Sequence, residues 1–146
     1  MRQGFAAQRR NLGGRLKRQT FGKSKRLSGK KQFEAVLAGR LRFSDKMLVL
    51  YAAQNDCGWP RLGISIAKAF GSAVMRNRMK RLIREAFRQN QERIGAGIDY
   101  VVMISPGFVR MMKEPDEGRK VFKKLTFAEV EKSLMGLAKR AAEKVG

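Results

Sequence analysis

Histidine is absent from this sequence, and cysteine occurs once, at Cys57. Without imidazole, the commonest acid–base catalysts and the usual zinc sites drop out, and one thiol closes no disulfide within the chain. Cys57 lies in the turn-like stretch QNDCGWP with no basic neighbour to activate it, so it reads as an inert thiol in a reducing, cytoplasmic setting. Carboxylates are scarce as well: 12 Asp and Glu stand against 33 Lys and Arg. The densest acidic group, Glu114, Asp116 and Glu117, falls in a segment broken by Pro and Gly where solvation is the simplest fate, and it is assigned no catalytic role. Long apolar runs are missing too, none approaching the roughly 20 residues a membrane-spanning helix needs.

What the chain does have is positive charge. A formal net charge of +21 on 146 residues is a self-repulsion that a polyanion relieves. An anionic membrane is the other candidate, but peripheral binders expose an apolar face beside the basic one, and the apolar stripes here are needed for a core. With 43% apolar and 31% charged residues, the composition is that of one globular domain. Residues 1–31 carry eleven Lys and Arg and no carboxylate, which reads as a flexible basic arm over 1–25 ahead of a domain at 26–146; an organelle transit peptide shares that composition.

Periodicity orders the rest. From Ser28, as N-cap, a helix is expected through Phe33, Val36 and Leu37, reaching as far as Leu41, with Gly39 near its end. The runs KMLVLYAA (46–53) and RLGISIA (61–67) read as an antiparallel pair of strands turned by QNDCGWP, and IDYVVMI (98–104) as a further strand. Between them, GSAVMRNRMKRLIREAFRQ (71–89) places six basic residues and one acidic residue on an amphipathic helix capped by Ser72 or Gly71. At 100° per residue, Met75, Met79, Leu82, Ile83, Ala86 and Phe87 form one stripe. Asn77, Lys80, Arg81, Arg84 and Arg88 share the reverse side, with Arg76 and Arg78 at its borders. Residues 108–124 read as a surface insertion or a short irregular helix. TFAE (126–129) is a capping box opening a last helix along Val130, Leu134, Leu137, Ala138, Ala141 and Val145.

A basic face can be mere solvated helix, since Arg and Lys are good helix formers. Here only Glu85 offers a nearby opposite charge, so i,i+4 pairing leaves the repulsion standing and binding to nucleic acid is the better reading. That reading requires Arg78, Arg81 and Arg84 to point to solvent. Phe33, Leu37 and Tyr51 fit either core packing or stacking on unpaired bases. A structural or ribosomal RNA-binding protein uses the same kind of helix, whereas a reader of the DNA major groove wants a dimer interface that the pattern lacks.

The stretch RLGISIAKAFGSAVMRNRMKRLIREAFR (61–88), centred on Arg76-Asn77-Arg78, resembles the signature of the protein subunit of bacterial ribonuclease P. QFEAVLAGR followed by LVLY, and DYVVMI with LTFAEVEKSL, extend the resemblance over roughly residues 26–138. It implies an α+β fold, a small two-layer sandwich with a mixed sheet of about four strands in α-β-β-β-α-β-α order. It also implies a left-handed β-α-β crossover, against the usual hand. By the same likeness, Arg76, Asn77, Arg78, Lys80, Arg81, Arg84, Arg88 and Lys68 would meet the catalytic RNA. A cleft of Phe33, Leu37, Val49, Tyr51 and Ser65 would hold the single-stranded 5′ leader of precursor tRNA. The RNA would carry the chemistry, with Mg²⁺ bound chiefly through it, no catalytic residue on the protein, and neither a membrane nor an obligate protein partner. This chain departs from the family pattern at Ser72, at Ala69 and over the 107–124 segment, which stands as a probable insertion whose Arg110, Lys113, Arg119 and Lys120 are further candidates for RNA contact.

Overall fold

The structure, a computed structural model, describes residues 25–27, 29–39 and 41–145; the basic-arm reading of residues 1–25 lies, apart from Lys25, outside them. The elements run α1 (Lys30–Ala38), β1 (Leu41–Ser44), β2 (Leu48–Gln54), β3 (Arg61–Ser65), α2 (Ala73–Gln89), β4 (Ile98–Ile104), α3 (Pro106–Met112), α4 (Pro115–Lys124) and α5 (Phe127–Val145). Four strands form one mixed sheet in the order β1-β2-β4-β3, with β3 and β4 parallel and the other pairs antiparallel. The α+β class and the four-stranded sheet agree with what the resemblance implies.

Two expectations fail on strand pairing. β2 and β3 are not neighbours, because β4 lies between them. Six of the seven residues of β4 are buried, and the central slot is the one that shields such a strand on both faces and both edges. The other correction is β1: Leu41 begins a strand opposite Ala52 instead of extending the first helix. Gly29, with φ of 79°, occupies the N-cap of α1, and Ser28 lies outside the described residues.

Alternation along the strands divides the sheet into two faces. Leu48, Leu50, Ala52, Leu62, Tyr100, Val102 and Ile104 point to the main core, where Met79, Ile83, Ala86 and Phe87 of α2 and Val130, Leu134, Leu137, Ala138 and Ala141 of α5 cover them. Phe87 meets Tyr100 edge to face at 6.1 Å, burial pushes the Tyr100 phenol up to about 12, and its hydroxyl donates a hydrogen bond to the Gly95 carbonyl. The capping expectations for α2 and α5 hold. The Met75 amide donates to Ser72 Oγ at 3.3 Å, and Thr126 and Glu129 exchange backbone-to-side-chain bonds at 3.0 and 3.2 Å.

On the opposite face a smaller cluster joins Leu27, Val36 and Val101 with Phe33, Leu37, Tyr51, Ala53 and Met103, so α1 adds a partial third layer. The approach is close: a Cβ on Gly63 would lie 2.6 Å from the Phe33 ring, which makes glycine the residue that lets α1 sit down on β3. At the other end of this face Asp99, 7% exposed, accepts from Arg61 Nε and Nη2 and from Asn55 Nδ2, all at 2.7 Å. That bidentate pair ties β3 to β4 and anchors the turn after β2.

Residues 106–124 are more regular than expected. Pro106 and Pro115 open two helices, where a missing N–H costs nothing, and Ser105 Oγ caps the first by accepting from the Phe108 amide. The charge cluster becomes legible in α4: Asp116 and Glu117 fall in its first turn and Lys123 and Lys124 in its last, each matching the helix dipole. Among the described residues no helix is long and apolar enough to cross a membrane.

Candidate RNA interface

Helix α2 lays its apolar stripe on the sheet and so must turn its other side outward. Asn77 and Arg81 are exposed, and Lys80 and Arg84 are half-buried. Lys80, Arg81 and Arg84 make no ion pair or hydrogen bond with the described residues, so their charge is available to a partner. Arg81 and Arg84 line a shallow cavity of about 530 Å³ together with Arg26, Arg78 and Arg88, floored by Leu82 and by Phe127 of α5. Sequence reasoning missed Arg26 and Phe127, which reach α2 only because Arg26 bridges to Leu62 and α5 folds back beside α2.

The other basic residues of the helix are partly committed. Arg88 pairs with Glu85, which also accepts from Gln89 at 3.0 Å, and these bonds hold the Glu85 carboxyl down to about 2. Arg76 Nε donates to the Gly71 carbonyl at 3.2 Å. Lys68 is exposed on the short 3-10 turn Lys68–Phe70 that follows β3.

Arg78 departs from the expectation that it points to solvent. Its Nη1 donates to the Phe122 carbonyl at 2.9 Å and its Nη2 to the Leu125 carbonyl at 3.0 Å, and the guanidinium lies 4.8 Å over the Phe122 ring. The last carbonyls of a helix lack partners within it, and a planar fork of donors satisfies two at once. Arg78 is thus a clamp on the end of α4. Phe122 also meets Phe70 edge to face at 6.3 Å, and Phe70 stacks on Phe108 at 5.8 Å, so the 106–124 segment is fastened beneath the start of α2.

The clamp is testable by amide hydrogen exchange on the full chain. Arg78→Ala and Arg78→Lys are both expected to raise exchange over residues 115–125 by roughly tenfold, since each loses hydrogen bonds to carbonyls that are worth about 1.5 kcal/mol or more when charged. Unchanged exchange in both variants would assign Arg78 to a partner instead.

The five cleft positions fall on the sheet's other face or on α1. Register aligns Ser44, Val49, Met103 and Ser65 in one row and Arg42, Tyr51, Val101 and Gly63 in the next. Phe33, Leu37 and Tyr51 are half-buried, Ser65 is exposed, and Val49 is only 4% exposed, a floor residue. Met103 completes the row and was not expected, because nothing in the run of five apolar residues after Asp99 marks which of them stays half-open. The groove is mostly apolar, and exposed Arg42 stands beside Tyr51 in the same row, a combination suited to a flat base with its phosphate outside.

The Ribonuclease P family pattern matches residues 21–142. The chain is 37% identical over 106 residues to the ribonuclease P protein component of Syntrophus aciditrophicus, covering 73% of this chain and 88% of that protein. With the protein component of Clostridioides difficile the identity is 35% over 121 residues, covering 82% and 94%. Among solved structures, the RNase P protein of Thermotoga maritima superposes with a TM-score of 0.67 at 29% identity, over 79% of this chain and 96% of that one. The Staphylococcus aureus protein gives 0.64 at 27%, over 84% and 98%. With its basic helix and its whole sheet inside a match that spans residues 21–142, the chain belongs to the ribonuclease P protein family.

Proposed function

We propose that the chain assists a catalytic RNA in removing the 5′ leader from precursor tRNA, binding that RNA through α2 and the single-stranded leader through the groove between α1 and the sheet. The observation that carries this reading is the pair Arg81 and Arg84, uncompensated cations on a helix whose reverse side is buried in the core. Asn77, Lys80 and Lys68 extend the same surface, with Arg76 and Arg88 at its margins. Phe33, Leu37, Tyr51, Ser65 and the Val49 floor form the leader groove.

Hydrolysis of the phosphodiester is assigned to the RNA. No three His, Cys, Asp or Glu side chains come together among the described residues, and in this reading Mg²⁺ is bound chiefly through the RNA. The protein's part is to neutralise phosphates and hold the leader in line, an effect on position and electrostatics. The test is to add the purified full chain to ribonuclease P RNA at low Mg²⁺ and follow precursor tRNA cleavage. Stimulation of at least tenfold at the mature 5′ end is expected; RNA binding without stimulation would indicate a purely structural RNA-binding protein.

A further inference from the structure

At the end of the sheet that α1 leaves uncovered, a pocket of about 530 Å³ opens beside the row that holds Val49. Its apolar lining is Val49, Phe108 and Met111, the last 36% exposed. Around it stand three cations from three elements: Arg42 on β1, Lys46 in the β1–β2 turn and Arg110 on α3. All three are exposed, and none makes an ion pair or hydrogen bond with the described residues. Asp45 is the one carboxylate in the lining. Its oxygens are already engaged, Oδ1 accepting from the Met47 and Leu48 amides at 2.8 Å and Oδ2 from the Ser133 hydroxyl at 2.5 Å. The pocket therefore presents an apolar floor and three cations against one carboxylate whose oxygens are already hydrogen-bonded.

It is also continuous with the leader groove. Arg42 is the register partner of Tyr51, and Val49 lies two residues before Tyr51 on the same face. Four of its eleven lining residues, Gly107, Phe108, Arg110 and Met111, come from the segment in which this chain departs from the family pattern.

We propose that this pocket is a second subsite for one unpaired nucleotide of the 5′ leader, the base over Val49, Phe108 and Met111 and the flanking phosphates among Arg42, Lys46 and Arg110. The subsite rests on the leader-binding reading above and adds to it a contact beyond Phe33 and Tyr51. A flat apolar floor ringed by uncompensated cations is the arrangement that binds single strands without reading sequence. The pocket's size is that of a small-ligand site.

The experiment uses the holoenzyme assembled from the full chain and ribonuclease P RNA, with precursor tRNAs whose leaders lengthen one nucleotide at a time, and mature tRNA as the zero point. Wild-type affinity should climb with leader length in two stages. Arg42→Ala combined with Arg110→Ala should lose one stage, roughly fivefold to twentyfold at moderate salt, and Met111→Ala should lose part of the same stage. Both variants should match wild type with mature tRNA. A uniform loss at every length, mature tRNA included, would place these cations on the catalytic RNA and overturn the subsite, as would a double variant that keeps both stages. If wild-type affinity itself ignores leader length, it is the leader-binding reading that fails.

Discussion

Arg81→Glu combined with Arg84→Glu is expected to weaken binding to ribonuclease P RNA by at least roughly a hundredfold near 0.1 M salt. Two charge-assisted contacts to phosphate are worth about 3 kcal/mol together, before the repulsion that the new carboxylates add. The salt dependence should shift with it: the slope of log K against log salt should become shallower by about two, one for each phosphate released. The fold should not suffer. Neither side chain has a partner among the described residues, glutamate is a good helix former, and a carboxylate at position 84 sits i,i+4 from both Lys80 and Arg88. Far-ultraviolet circular dichroism and thermal melts matching wild type would therefore accompany the lost affinity.

The groove predicts a different phenotype. Phe33→Ala with Tyr51→Ala should cut the preference for leader-bearing over mature tRNA by at least roughly thirtyfold, given about 1 to 3 kcal/mol for each of two base–aromatic contacts. Affinity for the RNA subunit should change little. Because Phe33 also packs on Gly63 and Leu27, the alanine pair removes bulk from the small cluster under α1. Phe33→Leu with Tyr51→Leu keeps most of that volume without the flat rings. If the leucine pair retains full leader preference, packing and not stacking explains the alanine result.

Much of the architecture around the basic helix is readable locally. The stripe of α2, its Ser72 cap and the Thr126–Glu129 box each depend on residues three or four apart, where chain geometry fixes the neighbours. What escaped depends on distant residues. A helical wheel puts both Arg78 and Arg81 outside the apolar stripe, yet Arg78 is claimed by carbonyls 44 and 47 residues further along. The place of β4 between β2 and β3 reflects competition for the most sheltered slot, which a single strand's alternation does not reveal. Four residues of β1 are too few for a periodic signal, and α3 and α4 hide behind two prolines and a charge cluster that suggest a loop. There Gly118 allows close contact, since a Cβ would come within 2.5 Å of the Met112 carbonyl oxygen.

The departure of Arg78 narrows the outward cationic surface of α2 without dissolving it. Arg81 and Arg84 carry the outward charge, while the clamp fastens the 106–124 segment beneath the same helix. A reversal at Arg78 would confound loss of that clamp with loss of any RNA contact, which makes the 81 and 84 pair the cleaner probe.

The sharpest check is to measure both variants on both ligands in one titration series: affinity of the charge-reversed and leucine-substituted chains for ribonuclease P RNA alone, and the leader preference of each assembled enzyme. A cationic helix surface and a separate single-strand groove predict crossed losses, the first variant failing on RNA and the second on leader. Equal losses by the two variants on both ligands would mean that α2 and the groove do not divide the work as the structure suggests.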